Sequence, residues 1–412
     1  MSRDAASRTG TVGMSVFWFF ALGSLGLFFP FFSLYLRENL ALSGWQVGMV
    51  LAAPPLVAIA AQPFFGMLAD RSGNRVGMLA LLAIGTGLGH TALAFGEGFA
   101  GVLLLTTLLA FFSTPLIPTA MSVTFALTQD LHKHAFGLCR TAGTIGFGLL
   151  VVGFPYLLDA IEASRGLAPV ADGPSEPALR VMFPAAAIAV VIAGLVALTL
   201  PRKEALAVRA EKHEWRSLLR HWPFLRVLAF GFLAYLFMQG PMGIFPLFVR
   251  AHGGSLDTVS TLWVWMLVLE VPLILYSGVT LERLGARGVL AVGVGAAAVR
   301  WLVCGFAPES WWVTPVQALH GVTVAGIVIG APLYVEAVVP DALRSTGQNL
   351  LALVGVSVGG LLSNLGAGAL LDWAGTDLPY QISGVGLLLL LALLPWLLPP
   401  PSRIAPEGIE PG

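Results

Sequence analysis

Six ionisable side chains stand inside stretches of this chain that are otherwise apolar: His90, Arg140, Glu270, Arg300, His320 and Glu336. A charge kept away from water is expensive, so each is a candidate for a task, with His90 expected to be a packing residue rather than a proton carrier. Glu270, in Leu267-Val268-Leu269-Glu270-Val271-Pro272, has no charged neighbour within one helical turn. A desolvated carboxylate and a desolvated imidazole can both exchange protons near neutral pH. Arg140, Thr144 and Phe147 fall at 0, +4 and +7, one face of a helix. A cation, a hydroxyl and a ring on one stripe suit an organic solute with both polar and ring surfaces. Gln239 shares a face with Tyr235 and Met242 at −4 and +3; its amide can hydrogen-bond a solute or a neighbouring helix.

The elements that must hold these groups follow from composition. Of 412 residues, 57% are apolar without counting the 48 glycines, and only 11% are charged. A soluble domain carries roughly 25% charged residues, so a water-soluble globular protein is excluded, as is a disordered chain. The net charge is zero, which leaves no basic face for nucleic acid. Cys139 and Cys304 both lie in apolar surroundings, so no disulfide framework is expected. Twelve stretches reach the length of about 20 residues needed to cross a bilayer: 14–36, 44–69, 76–95, 100–127, 136–158, 179–200, 224–250, 257–280, 288–307, 311–338, 343–371 and 380–399. Their apolar runs are continuous, not alternating, which excludes a β-barrel. The first is too long, and lacks the small-residue cleavage site, to be a removable signal.

With a cytoplasmic N-terminus, seventeen Lys and Arg fall on the inner side. Only Arg37, Arg165, Arg180 and Arg250 fall on the outer side, with Arg300 left within the membrane. The positive-inside rule then places both termini in the cytoplasm. The expected architecture is an all-α polytopic membrane protein of twelve transmembrane helices. A bundle of six (1–200), a basic cytoplasmic linker (201–223) and a second bundle of six (224–412) follow in order.

The halves share a pattern after their second spans. Gly66-Met67-Leu68-Ala69-Asp70-Arg71-Ser72-Gly73-Asn74-Arg75 and Gly278-Val279-Thr280-Leu281-Glu282-Arg283-Leu284-Gly285-Ala286-Arg287 match at glycine, acid, arginine, glycine and arginine, all at an offset of 212. The pattern resembles the signature loop of the major facilitator superfamily, G-x-L-a-D-r-x-G-r-k, with Asn74 in place of a basic residue. The resemblance implies two six-helix halves related by a pseudo-two-fold axis. It also implies a gating role for Gly66, Asp70, Arg71, Gly73 and Arg75, and for Glu282 and Arg283 in the weaker copy.

The segment Arg140-Thr141-Ala142-Gly143-Thr144-Ile145-Gly146-Phe147 is similar to the R-x-W-G-[ST]-[IV]-G-F stretch of phenylpropionate permeases and nucleoside:proton symporters, with Ala142 where those families carry Trp. Together with Val299-Arg300-Trp301, Gln317-Ala318-Leu319-His320 and Tyr334-Val335-Glu336, it looks like the branch that also includes, more distantly, lactose permease. In that branch a carboxylate in span eight, an arginine in span nine and a histidine in span ten serve proton coupling or substrate binding. The resemblance puts Glu270, Arg300 and His320 in those places. Thr323 stands where lactose permease has a second carboxylate, so the same relay does not carry over.

These readings converge on a secondary transporter working by alternating access. Proton-coupled symport of an aromatic acid, nucleoside or sugar is expected, in a bacterial inner membrane and as a monomer, with no cofactor beyond the proton gradient. A proton-driven exporter of hydrophobic compounds is the alternative. A membrane-embedded enzyme is a more distant one, since no His-Glu-x-x-His or nucleophile–base pairing occurs. The His132-Lys133-His134 cluster is expected to be a solvated loop and not a metal site.

Overall fold

The computed structural model describes residues 3–128, 135–167, 176–201, 215–275, 277–306, 310–340 and 343–399. Among the described residues every element is helical. That is the outcome the sequence dictates: without water, backbone N–H and C=O groups must be satisfied within the segment itself. Twelve helices are long and apolar enough to span a bilayer: Gly10–Asn39, Gly44–Ser72, Arg75–Leu93, Gly98–Thr128, Ala135–Arg165, Leu179–Leu198, Trp222–Gly243, Leu256–Leu273, Leu284–Phe306, Val313–Val338, Arg344–Ala374 and Asp377–Leu397. They are spans one to twelve below. The His132 loop and most of the 201–223 linker lie outside the described residues.

Two of the expected spans are interrupted, and proline explains both breaks. Span seven was expected to reach residue 250. It stops at Gly243, and a separate helix, Phe245–Ala251, follows a non-helical Ile244. Pro241 and Pro246 flank that break, and neither can donate to the helical ladder. Span eight is interrupted between Val268 and Glu270. Pro272 lies four residues beyond Val268 and its ring excludes that carbonyl from a regular turn.

The chain packs into two compact units, one of Met1–Ala207 with Gly243–Val264, the other of Val208–Met242 with Trp265–Gly412. The segment Gly243–Val264, in the second half by sequence, therefore packs with the first; the breaks at 244 and 269 lie close to its two ends.

Within the first unit, span one lies along spans five and six. Span five meets span one at glycine: a Cβ on Gly146 would collide with the Phe19 backbone, and one on Gly26 would lie 3.2 Å from the Phe147 Cα. Span one is also tied to span six by Ser24 Oγ, which donates to the Ala186 carbonyl at 2.8 Å. Within the second unit, span eleven repeats this with Gly355, Gly359 and Gly360 packed against Tyr235, Phe232 and Gln239 of span seven. Small residues drive such contacts because lipid offers helices no hydrophobic incentive to associate.

The internal repeat has a backbone counterpart. Gly73 ends span two at φ 63° and Gly285 kinks the chain at the start of span nine at φ 64°. Both angles are in the left-handed region that side chains disfavour. In the first copy Asn74, the departure from the signature, caps span three by accepting from the Gly77 N–H at 2.9 Å.

Candidate functional site

In the second unit the structure gathers a polar cluster around Arg300, whose residue is only 2% exposed. Its Nε donates to Gln317 Oε1 at 2.8 Å and its Nη1 lies 3.0 Å from His320 Nδ1. The thioether sulfurs of Met266 and Met242 accept from Nη2 at 3.2 and 3.5 Å. The guanidinium carbon sits 4.2 Å from the Trp301 ring centroid. Gln317 is fixed in turn by donating to the Val313 carbonyl at 3.1 Å. Trp301 is fixed by the Tyr380 ring edge at 5.3 Å, and the Tyr380 hydroxyl donates to the Pro241 carbonyl at 2.8 Å. A guanidinium has donors and no acceptor, so His320 Nδ1 accepts and the imidazole is neutral in this arrangement. A proton on Nδ1 would remove the acceptor and set two cations against each other. Proton arrival and the Arg300–His320 contact are therefore mutually exclusive.

Glu270 is buried and enters this neighbourhood through its backbone. Gly321, next to His320, leaves room where a Cβ would strike the Glu270 amide nitrogen and lie 2.8 Å from its Cα. The break that Pro272 causes thus places the carboxylate residue of span eight directly against the histidine turn of span ten. A π-helical turn, Ala325–Ile329, follows on the same helix, a local widening often found at functional positions.

In the first unit Arg140 is half-buried on span five. Its Nη1 donates to Thr144 Oγ1 at 3.4 Å, and its guanidinium lies 5.0 Å from the Trp18 ring centroid. Trp18 Nε1 donates to Thr124 Oγ1 at 2.9 Å. Ala142 stands where the similar families carry an aromatic. The structure supplies one from span one, at a separation of 122 residues that no local pattern reveals. Phe147 is buried with its ring 5.5 Å from Trp263, which also meets Phe29 at 5.5 Å. Arg140 and Thr144 therefore touch, and Phe147, on the same helix, packs into an aromatic group with Trp263 of span eight and Phe29 of span one.

Tyr235 and Gln239 are half-buried on span seven against the span-eleven glycines, and among the described residues neither side chain makes a hydrogen bond. His90 packs its ring 4.8 Å from Phe28, and its Nδ1 has no hydrogen-bond partner among the described residues. Glu336 is exposed. In the signature loop Asp70 pairs with Arg75 at 2.9 Å, and Arg75 also donates to Ser122 Oγ at 3.1 Å. Gly66 and Arg71 are exposed. The side chains of Glu282 and Arg283 lie outside the described residues.

Comparisons with known proteins agree with this architecture. The MFS_1 like family matches residues 11–382. The chain is 27% identical over 386 residues to the maltose permease of Geobacillus stearothermophilus, covering 92% of this chain and 93% of that one. It is 25% identical over 369 residues to the uncharacterized transporter YwbF of Bacillus subtilis, covering 90% and 88%. Among solved structures, the nucleoside transporter NupG superposes with a TM-score of 0.78 at 15% identity, covering 95% of this chain and 99% of that one.

Proposed function

The chain belongs to the MFS_1-like family, a family of transporters and not of enzymes, and from that premise we propose that it is a proton-coupled symporter of a neutral solute carrying a hydroxylated ring. The observation that carries the reading is the Arg300–Gln317–His320 cluster, buried within apolar spans beside Glu270. In this reading Glu270 and His320 exchange the proton, and Arg300 is the fixed charge that senses it. The His320–Arg300 contact breaks on protonation, which makes proton binding felt across spans nine and ten.

Solute binding is assigned to Arg140 and Thr144 in the first unit, with Phe147 shaping the aromatic surroundings there, and to the Tyr235 hydroxyl and Gln239 amide in the second. A planar guanidinium can bridge vicinal hydroxyls. The two solutes named for the relatives, maltose and nucleosides, share a hydroxylated sugar ring, which supports that class over an aromatic acid. Asp70, Arg71 and Arg75, with Gly66 and Gly73 shaping the turn, gate the cytoplasmic side, and Glu282 and Arg283 act likewise in the second copy. The protein works as a monomer in the inner membrane with both termini in the cytoplasm.

Purified protein in proteoliposomes tests this. With an imposed inward proton gradient, labelled maltose or a labelled nucleoside should accumulate above its external concentration, and a protonophore should abolish the accumulation. Proton-driven extrusion of hydrophobic dyes without uptake of either solute would replace the reading with an exporter.

A further inference from the structure

Two arginines at the end of the second unit where span seven begins have no part in the function proposed above. Arg226 lies one turn into span seven and Arg287 three residues into span nine. Packing brings them to one level. Gly330 of span ten rests against Leu290 of span nine, where a Cβ would lie 3.3 Å from the Leu290 backbone nitrogen. Consecutive spans run in opposite directions, so Tyr334, one turn beyond Gly330, comes level with Arg287, one turn before Leu290. The Tyr334 hydroxyl donates to the Pro399 carbonyl just past span twelve. Trp396, one turn before Pro399, holds its ring centroid 5.0 Å from the Arg226 guanidinium carbon. Both guanidiniums act electrostatically on the Tyr334 hydroxyl, so the three groups share one neighbourhood.

The protein does not balance either arginine. Both are half-buried, and the Nε of each is buried with no hydrogen-bond acceptor among the described residues. Neither belongs to an ion pair there. Glu336 is the described carboxylate nearest in sequence to Tyr334. It is exposed and two positions on, hence on another face of span ten. Trp222, on the same helix as Arg226, lies 5.5 Å from its guanidinium carbon. Rings do not use up these donors, because a ring takes the face of a guanidinium and the N–H groups lie in its plane.

We infer that Arg226 and Arg287 form a site for the phosphate group of an anionic phospholipid at this end of the second unit. In-plane donors from two guanidiniums fit an oxyanion with several acceptor oxygens. Depth and surroundings select a lipid as its carrier. Arg226, Arg287, Trp222 and Trp396 all lie within about one turn of a span end, the level of the headgroups. Trp222 and Trp396 are each 57% exposed, as tryptophan at a bilayer boundary is. Leu389, Leu393 and Trp396 fall at 0, +4 and +7 on span twelve and are all exposed, an apolar track for an acyl chain leading inward from the phosphate. In the orientation proposed above this end faces the cytoplasm, where basic pockets between spans suit anionic headgroups. The inference does not depend on which solute is carried or on what drives it.

Native mass spectrometry of the full chain in detergent tests the site, with phosphatidylglycerol, phosphatidylcholine or inorganic phosphate added. Wild type should retain one phosphatidylglycerol in preference to phosphatidylcholine, whose choline cation cancels part of the attraction, and its thermal midpoint should rise with the former. Arg226→Gln and Arg287→Gln should each weaken retention about tenfold, the value of one charge-assisted hydrogen bond. Arg220→Gln removes an exposed arginine at the same end and should change nothing. A photoactivatable phosphatidylglycerol on the wild type, mapped by peptide, should label the segments 222–226 and 389–396, a readout that stands even if a variant does not insert. Equal retention of the two lipids, a loss in Arg220→Gln as large as in Arg287→Gln, or labelling confined to other segments overturns the site. Stabilisation by inorganic phosphate that matches phosphatidylglycerol and is lost in Arg287→Gln would hand the site to a soluble phosphate compound and remove the lipid.

Discussion

Arg140 and Arg300 are both arginines inside apolar helices, yet they are held in opposite ways. Arg300 is sealed, and its donors are spent on an amide, an imidazole and two sulfurs, with a tryptophan beneath. Arg140 is half-buried, with a 3.4 Å contact to Thr144 and one face on Trp18. A guanidinium whose partners are supplied by the protein is a fixed charge that neighbours can sense. The one beside Thr144 and the Trp18 face is half-buried, so water and solute can reach it. In the function proposed above, burial and partner quality, not residue type, divide the coupling task from the binding task.

The largest effect is expected from breaking the sealed cluster. Arg300→Met should strand Gln317 Oε1 and His320 Nδ1, at about 1–3 kcal/mol for each buried group left unsatisfied. The thermal midpoint in detergent should fall and accumulation should vanish. Arg300→Met with wild-type stability and uptake would show that the cluster is neither structural nor coupled.

Glu270→Gln sharpens the same side of the comparison. It keeps the size and the backbone contact with Gly321 but cannot ionise, so uphill accumulation should be abolished while solute counterflow persists. Full accumulation in this variant would remove Glu270 from coupling.

On the open side, Arg140→Lys replaces a planar fork with a point charge. A neutral hydroxylated solute should bind about tenfold more weakly, the equivalent of roughly 1.5 kcal/mol and one charged hydrogen bond, with the thermal midpoint little changed. An anionic solute would lose less. Arg140→Ala that binds and transports like wild type would make the residue only a surface anchor.

The smallest energetic effect belongs to Asp70, outside both clusters and 58% exposed. Asp70→Asn should cost less than about 1 kcal/mol of stability, as exposed pairs do. Cysteine accessibility should nonetheless shift toward one side of the membrane at nearly constant affinity. An unchanged accessibility pattern would leave the loop with a folding role alone.

Composition and periodicity alone determined that the chain is a bundle of twelve spanning helices. Lipid leaves a continuous apolar run few structures besides a helix, and its length sets the span. The repeat at an offset of 212 was equally legible, because it is a pattern in one dimension, and it recurs as the paired left-handed glycines 73 and 285. The Arg140–Thr144 contact could be found from spacing, since residues four apart share a helix face. Trp18 beneath Arg140, Gln317 holding Arg300, and Trp396 beside Arg226 could not. Each joins residues from different elements, and no periodicity within one helix states which helix it will meet. The break at Ile244 was likewise invisible to hydropathy, which runs on through Pro241 and Pro246 while the backbone hydrogen-bond ladder does not. Tertiary structure alone decided which charges are sealed and which are half-exposed, because that depends on how closely glycine-lined helices approach.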